Sequence, residues 1–311
     1  MLTTTYAGAL AATVALFGVR APPVTGRAPS LATRARETFT VGMLRVDHYG
    51  SPARTPVIFI PALFCGASQW QRQIQFLSDR YDIYALTLPG FDGRPRDTGG
   101  DLIGRATADI STLIRTKHLD HPIIVGHSLG GTLAILFAVH RSPEVRGIIA
   151  VEGGYPAAPT PEQREQRVRE STAPYRGIDR RAFGDSLGER MLQYVITSKS
   201  DADSVQAEAA RSDPEAVVDW LSEALRLDLT QQLEEITVPL REIVPFDEKI
   251  DPYQGFVSAT AKADAYRAFL RHAPHGSLTM IEHSRHFVMI DQPQAFDHAL
   301  FTAIDEEERR S

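Results

Sequence analysis

Short apolar runs alternate with helix-prone stretches along most of the chain from Phe39 onward. The runs, rich in Val and Ile, lie at 57–60, 82–88, 122–126, 147–152, 239–244 and 277–282. The helix-prone stretches lie around 69–79, 102–117, 129–140 and 259–272. Several runs are apolar throughout, which is typical of strands buried on both faces of a parallel sheet. The alternation therefore predicts an α/β fold with helices on both faces of the sheet.

One long segment interrupts this alternation. From about residue 154 to residue 235 the chain holds no convincing strand and is charged and helix-prone, as in PEQREQRVRE and DPEAVVDWLSEAL. The segment is too long for a plain loop. We therefore predict a helical cap at 154–235, inserted into a core formed by 39–153 and 236–311.

The first 38 residues are predicted to be a leader or linker. The uncharged apolar run Tyr6–Val19 is shorter than the roughly 20 residues that span a bilayer. It has the length of the apolar region of a signal peptide, but no Lys or Arg precedes it. Small-x-small cleavage patterns occur at Val19-Arg20-Ala21 and Ser30-Leu31-Ala32. The pattern leaves both an exported and a cytoplasmic protein open.

Composition and charge exclude several classes of function. The formal net charge of −6 offers no broad basic surface for nucleic acid or anionic lipid. Cys65 is the only cysteine, so no internal disulfide and no cysteine-built metal site can form. No glycine-rich phosphate loop, dinucleotide fingerprint or metal motif occurs in the sequence. We therefore expect no cofactor, no metal and a small-molecule substrate, and leave the oligomeric state open.

The sequence Gly126-His127-Ser128-Leu129-Gly130 lies between a predicted strand and an apolar helix. A serine hydroxyl is a weak nucleophile and must project toward a base, which a sharp strand-to-helix turn achieves. Glycines flank the turn where neighbouring backbone comes too close for a Cβ. The helix that begins near Leu129 directs free N–H groups toward a developing oxyanion. These features predict Ser128 as the nucleophile.

A second match to the same spacing occurs at Gly184-Asp185-Ser186-Leu187-Gly188. Phe183 and the residues after it resemble the sequence block of the GDSL hydrolases. No strand precedes this match, however, and the chain contains no Asp-x-x-His. We therefore expect a loop or helix start in the cap, with Asp185 or Ser186 as its N-cap.

The serine motif and a later SRHFVMI stretch, followed by Gln292-Pro293, resemble the α/β-hydrolase superfamily over roughly 41–153 and 236–304. The resemblance implies an α/β-hydrolase fold, in which a mostly parallel central sheet is flanked by helices. It also implies a catalytic triad in the chain order Ser, acid, His. Serine at position 128 argues against the dehalogenases and epoxide hydrolases of this fold, which use an aspartate nucleophile.

The same resemblance supplies the other members of the triad. It makes His286 the base, with His283 as the rival position. A metal pair of His283 and His286 is disfavoured because no third ligand accompanies them. Asp247, which follows the strand at 239–244, is the predicted acid. Asp251 and Glu152 remain as alternatives, because the acid must reach the imidazole and chain position alone does not decide that.

The predicted oxyanion hole uses the backbone N–H groups of Leu129 and Leu63. The family's His-Gly pair in the loop before Leu63 is replaced here by Pro61-Ala62. This replacement leaves the Leu63 donor in place but changes the residues that shape the loop. Phe64 and Trp70 are predicted to line the substrate pocket.

These assignments predict a serine hydrolase that cleaves a carboxylic ester, a lactone or a thioester of a small to medium hydrophobic substrate. Carbon–carbon bond hydrolysis and perhydrolysis use the same triad and remain alternatives. A third alternative is a non-catalytic binding protein with the same fold, which the Pro61-Ala62 replacement favours.

Overall fold

Each predicted apolar run forms a strand of one eight-stranded sheet in the computed structural model, which describes residues 34–154, 158–187 and 192–310. The strands are β1 (Glu37–Val41), β2 (Leu44–Tyr49), β3 (Pro56–Ile60), β4 (Asp82–Thr87), β5 (Ile123–His127), β6 (Gly147–Val151), β7 (Leu240–Phe246) and β8 (Gly276–Glu282). Their spatial order is β1-β2-β4-β3-β5-β6-β7-β8. The six strands from β4 to β8 in this order are parallel, whereas β1 and β2 are antiparallel to their neighbours.

Helices cover this sheet and connect its strands. They are α1 (Gln71–Leu77), α2 (Leu102–Thr116), α3 (Leu129–Arg141), α4 (Pro161–Thr172), α5 (Arg180–Leu187), α6 (Gln193–Val195), α7 (Lys199–Ala209), α8 (Pro214–Arg226), α9 (Ala259–Leu270), α10 (Val288–Asp291) and α11 (Pro293–Glu308). Every residue of β3, β4, β5 and β6 is buried, as the apolar runs predict for central parallel strands. The predicted α/β-hydrolase fold is confirmed.

Between β6 and β7, the described residues 158–187 and 192–235 contain the helices α4 to α8, short 3-10 turns and irregular connections, and no strand. We call this segment the helical insertion. Two of its helices begin at side-chain caps: Thr160 and Gln163 make a capping box on α4, and Asp213 accepts N–H bonds at the start of α8. Among the helices of the insertion, α8 packs against α2 and α3 of the core.

The β1–β2 hairpin extends the sheet at one edge, and its first strand begins at Glu37, inside the segment predicted as a leader. Residues 1–33, with the apolar run Tyr6–Val19 and both cleavage patterns, lie outside the described residues. The chain divides into two units, 1–32 and 33–311, and all described residues belong to the second. None of the described helices combines the length and apolar character needed to cross a membrane.

Candidate active site

Ser128 occupies a strained turn between β5 and α3. Its backbone has φ 54° and ψ −115°, which non-glycine residues rarely adopt. Two backbone bonds hold the turn: the Ser128 N–H donates to the Val151 carbonyl at 2.9 Å, and the Ser128 carbonyl accepts from the Thr132 N–H at 2.9 Å. The side chain faces a large cavity, which it helps to line. This is the geometry of a nucleophile elbow.

The glycines of the motif are required by close backbone contacts. A Cβ at Gly126 would lie 2.1 Å from the Gly130 carbonyl oxygen. A Cβ at Gly130 would lie 2.3 Å from the Ile60 carbonyl oxygen. The second contact brings the start of α3 against the end of β3, so that the loop after β3 lies beside the nucleophile. Any side chain at either position would therefore displace the turn.

His286 lies in the loop between β8 and α10 and lines the same cavity as Ser128. Its Nδ1 lies 2.6 Å from Oε2 of Glu152. Because a carboxylate oxygen can only accept, Nδ1 carries the proton, and in the neutral ring Nε2 is the basic nitrogen. His283, the rival position, is exposed, and its Nδ1 lies 3.4 Å from Oε2 of Glu248.

The acid that contacts the imidazole is Glu152, so the prediction of Asp247 is corrected. Glu152 directly follows β6 and has φ 44°. The carboxylate of Asp247 instead accepts the backbone N–H groups of Lys249 and Ile250, each at 3.0 Å. Asp247 thus caps the turn after β7, and its second oxygen lies 3.7 Å from Nε of Arg285.

Asp251, the other alternative acid, also has a different set of partners. Its Oδ2 accepts the backbone N–H of Asp247 at 2.7 Å, and its Oδ1 lies 2.7 Å from Nζ of Lys262. The same Lys262 ammonium lies 2.5 Å from Oε1 of Glu152. Asp251 is thereby linked to the Glu152–His286 pair through Lys262.

Glu152 stays ionised although most of its side chain is removed from solvent. Burial alone would raise the pKa of Glu152, but Lys262 and His286 outweigh that effect and hold the pKa at about 2. The glutamate is therefore a carboxylate throughout the neutral range. An ionised acid at this position can stabilise an imidazolium at His286.

His127 joins the loops around Ser128 through a chain of hydrogen bonds. Its Nε2–H donates to the backbone carbonyl of His286 at 2.9 Å, which leaves Nδ1 to accept from Nε2 of Gln69 at 3.0 Å. The Oε1 of Gln69 in turn accepts the Ala62 N–H at 2.9 Å. Burial lowers the pKa of His127 well below its ordinary value, and the neighbouring His286 adds to the effect. A neutral His127 thus connects the loop after β3 to the loop of His286.

The cavity beside Ser128 has a volume of about 700 Å³ and lies between the core and the helical insertion. Leu63 and Leu129, the predicted oxyanion donors, both line it. Phe64 also lines it and packs against Tyr175 and Phe183 of the insertion, with ring centroids 6.0 Å apart in both cases.

Trp70 does not line this cavity, so its assignment to the pocket is wrong. The indole is fully buried between Phe59 and Phe296, at centroid distances of 5.0 and 6.3 Å. Trp70 therefore belongs to the hydrophobic core. Cys65 lines the cavity, and burial raises the pKa of its thiol well above the ordinary value.

The second GxSxG match is helical in its described residues, because α5 extends to Leu187. The Ser186 hydroxyl donates to the Phe183 carbonyl at 2.8 Å, within its own helix. Asp179, which accepts the Ala182 N–H at 2.8 Å, satisfies the helix start, so the expected N-cap role of Asp185 or Ser186 is wrong. The described residues of the motif, 184–187, therefore form no strand-to-helix turn that would expose a nucleophile.

Gln69 and Lys262 also belong to this site, and neither could be predicted because their positions in the chain carry no motif. Within the described part of the chain, no group of three or more His, Cys, Asp or Glu residues could hold a metal ion.

Comparison with known proteins agrees with this geometry. The sequence model of the Alpha/beta hydrolase family matches residues 57–299, which is most of the chain. The chain belongs to the alpha/beta hydrolase family. The family assignment accords with the strand–elbow–helix arrangement around Ser128.

Two curated relatives illustrate the range of the family. The chain is 28% identical over 255 residues to 2-succinyl-6-hydroxy-2,4-cyclohexadiene-1-carboxylate synthase of Serratia proteamaculans, covering 73% of this chain and 96% of that protein. It is 32% identical over 114 residues to the (lyso)-N-acylphosphatidylethanolamine lipase of Mus musculus, covering 34% of this chain and 33% of the lipase.

Solved structures share the fold at low sequence identity. A thermophilic esterase from Thermogutta terrifontis superposes with a TM-score of 0.71 at 19% identity, covering 87% of this chain and 99% of the esterase. An enol-lactonase from Burkholderia xenovorans superposes with a TM-score of 0.69 at 16% identity, covering 86% and 100% of the two chains.

Proposed function

We propose that this alpha/beta hydrolase is a serine hydrolase that cleaves a carboxylic ester, lactone or thioester through an acyl-enzyme on Ser128. The observation that carries the proposal is the 2.6 Å contact between His286 and the ionised Glu152, on a cavity that Ser128 also lines. An ionised acid behind a histidine whose Nε2 is basic is what activation of a serine hydroxyl requires.

In this mechanism Ser128 Oγ attacks the substrate carbonyl while Nε2 of His286 takes the hydroxyl proton. Glu152 stabilises the imidazolium that forms. The backbone N–H groups of Leu63 and Leu129 hold the negative oxygen of the tetrahedral intermediate. His286 then returns its proton to the leaving alkoxide or thiolate, and water resolves the acyl-enzyme by the same steps.

The walls of the cavity favour a hydrophobic substrate of small to medium size. The helical insertion contributes mostly aliphatic lining: Val205, Leu221, Ala224, Leu225, Leu227 and Leu229. The volume of about 700 Å³ falls within the range of about 300–1,000 Å³ usual for small-molecule sites. An acyl chain or aromatic acyl group of moderate size suits this space.

The test is hydrolysis of a p-nitrophenyl ester series, from acetate to long acyl chains, by wild type, Ser128→Ala and Ser186→Ala. We expect turnover by wild type, its abolition in Ser128→Ala, and no change in Ser186→Ala, the matched control in the second motif. A fluorophosphonate probe should label wild type and Ser186→Ala but not Ser128→Ala. Absence of both turnover and labelling in folded wild type would reject the proposal.

A second candidate is the reaction named for the Serratia relative. It is favoured by a similarity that extends over 96% of that protein. Formation of 2-succinyl-6-hydroxy-2,4-cyclohexadiene-1-carboxylate by wild type and not by Ser128→Ala, with no ester turnover, would select this candidate over the first.

A further inference from the structure

Lys262 is a buried ammonium placed directly behind the acid of the proposed triad. It lies on α9, and only 2% of its surface is exposed. Its Nζ lies 2.5 Å from Oε1 of Glu152 and 2.7 Å from Oδ1 of Asp251. Burial alone would lower the pKa of Lys262, but the two carboxylates hold it above the ordinary value, so the lysine is charged.

Lys262 and His286 bind different oxygens of Glu152. Oε1 faces the ammonium and Oε2 faces Nδ1 of the imidazole. With one oxygen occupied by the lysine, the carboxylate cannot rotate without breaking a buried charged contact. The lysine therefore fixes the direction from which Glu152 meets the imidazole.

We call Glu152, Asp251 and Lys262 the charged cluster, and the proposed reaction changes the net charge of this cluster together with His286. Glu152 and Asp251 contribute two negative charges and Lys262 one positive charge, so the cluster carries one net negative charge beside a neutral His286. When His286 takes the serine proton, the cluster and His286 together become neutral. A buried site that is neutral only after proton transfer favours the imidazolium formed in the transition state.

Without Lys262, two uncompensated carboxylates would lie behind the imidazole. Their combined field would favour a protonated His286 already in the resting enzyme, and a protonated histidine cannot act as the base. The ammonium thus limits the negative field at His286 to a single charge.

The ionisable groups that flank the cluster on β5, on β7 and in the loop of His286 leave this balance unchanged. On β7, burial raises the pKa of Glu242 well above its ordinary value, so it is neutral. His127 on β5 is neutral as well, and its ring centroid lies 4.6 Å from that of His286. Arg285 and Asp247 carry opposite charges 3.7 Å apart.

We propose that Lys262 is a positioning residue that orients Glu152 and sets the net charge behind His286, so that the histidine is neutral at rest and stabilised as imidazolium in the transition state. This inference rests on the proposed function, because it assigns a role to Lys262 in the activation of Ser128.

The test is the pH profile of kcat/KM for ester hydrolysis by Lys262→Met, Asp251→Asn and the double variant. In Lys262→Met the acidic limb should move to higher pH, with a loss of about tenfold or more near neutrality that recovers at higher pH. Asp251→Asn, which leaves the resting cluster without net charge, should move the limb to lower pH. The double variant restores one net negative charge and should return the limb toward that of wild type.

Lys199→Met, which changes an exposed lysine, is the matched control and should keep the wild-type profile. In the Glu152→Gln background, Lys262→Met should cause little further loss, because the lysine acts through Glu152. Circular dichroism checks folding. If Lys262→Met does not fold, the acidic limb of the other two variants still tests the role of Lys262. The limb should move to lower pH in Asp251→Asn and return toward that of wild type in the double variant.

An unchanged acidic limb in the folded variants, with a rate reduced equally at all pH values, would overturn the role of Lys262 and leave the proposed function intact. Failure of wild type to hydrolyse esters or to react with a fluorophosphonate would overturn the proposed function and this inference with it. The wild-type measurements therefore separate the two failures.

Discussion

At the level of single residues, Glu152 and Asp247 are the two candidates for the acid of the triad. Their different contacts predict that removing the charge of each will have a different effect on catalysis. Glu152→Gln removes the charge that stabilises the imidazolium and places an amide against Nδ1 of His286. We expect kcat for ester hydrolysis to fall by about 10³- to 10⁴-fold, with little change in KM. Asp247→Asn is the matched control, because Asp247 caps a turn and does not contact the imidazole.

The kcat of Asp247→Asn should fall by about tenfold or less. Steady-state kinetics at saturating ester would measure both variants. An Asp247→Asn enzyme as impaired as Glu152→Gln would contradict the assignment of the acid.

Chain position shows which residues can be the acid but not which one is. Glu152 follows β6 and Asp247 follows β7, and these adjacent parallel strands end at the same edge of the sheet. The choice depends on the direction of each side chain and on Lys262, which approaches from α9. No sequence pattern near residue 262 indicates that Lys262 contacts Glu152. Ser128, in contrast, is marked locally, because its flanking glycines, strand and helix are continuous in the sequence.

At the level of elements, the parallel strands could be predicted because each is a continuous apolar run. The hydrophobic pattern did not indicate the edge strand β1, for the complementary reason. β1 is mostly exposed, and its sequence ETFTV mixes polar and apolar residues. An edge strand with water on much of its surface needs no apolar run, so the hydrophobic pattern does not reveal it.

The hydrogen-bond chain through Gln69 and His127 connects the loop after β3 to the loop of His286, and its loss should affect both stability and catalysis. Gln69→Leu leaves the Ala62 N–H and Nδ1 of His127 without their partner. We expect the free energy of unfolding to fall by about 2 kcal/mol. We also expect kcat to fall by about 10- to 100-fold, because the loops of Leu63 and His286 lose their link.

Urea unfolding and ester kinetics would measure the two effects. Gln75→Leu, on the helix α1 that follows the 3-10 turn of Gln69, is the control. A Gln69→Leu enzyme with unchanged kcat would show that the link does not contribute to the geometry of the site.

At the level of the whole molecule, the cavity forms where the core meets the helical insertion, and its lining could not be predicted from the sequence. Glu208 on α7 accepts the Gly66 N–H at 3.1 Å and also the Ser68 hydroxyl, which joins the insertion to the loop after β3. Phe64 and Trp70 are close neighbours in the sequence, yet one faces the cavity and the other the core. Only the packing of distant elements distinguishes them.

The buried Glu242 should make the stability of the whole fold depend on pH. Burial raises the pKa of Glu242 well above 4.5, and the nearby negative charge of Glu152 adds to the effect. When the pKa of a group is higher in the folded state than in the unfolded state, its contribution to stability is fully present below the unfolded pKa. That contribution is lost as the pH rises toward the folded pKa. Between about pH 4.5 and the raised pKa of the folded state, the unfolded chain ionises this glutamate while the folded protein does not. The contribution of Glu242 to the free energy of unfolding therefore falls by about 1.4 kcal/mol per pH unit.

Glu242→Gln keeps the shape of the side chain and removes its ionisation, so it should abolish this component. We expect the stability of the variant relative to wild type to increase with pH above about 4.5, until the raised pKa of Glu242 in the folded protein is passed, as measured by urea unfolding at several pH values. Glu235→Gln, at an exposed position, should follow wild type throughout. A constant difference between Glu242→Gln and wild type across this range would mean that Glu242 is already ionised in the folded protein. Its charge would then add to the negative field behind His286 from the β7 side of the sheet.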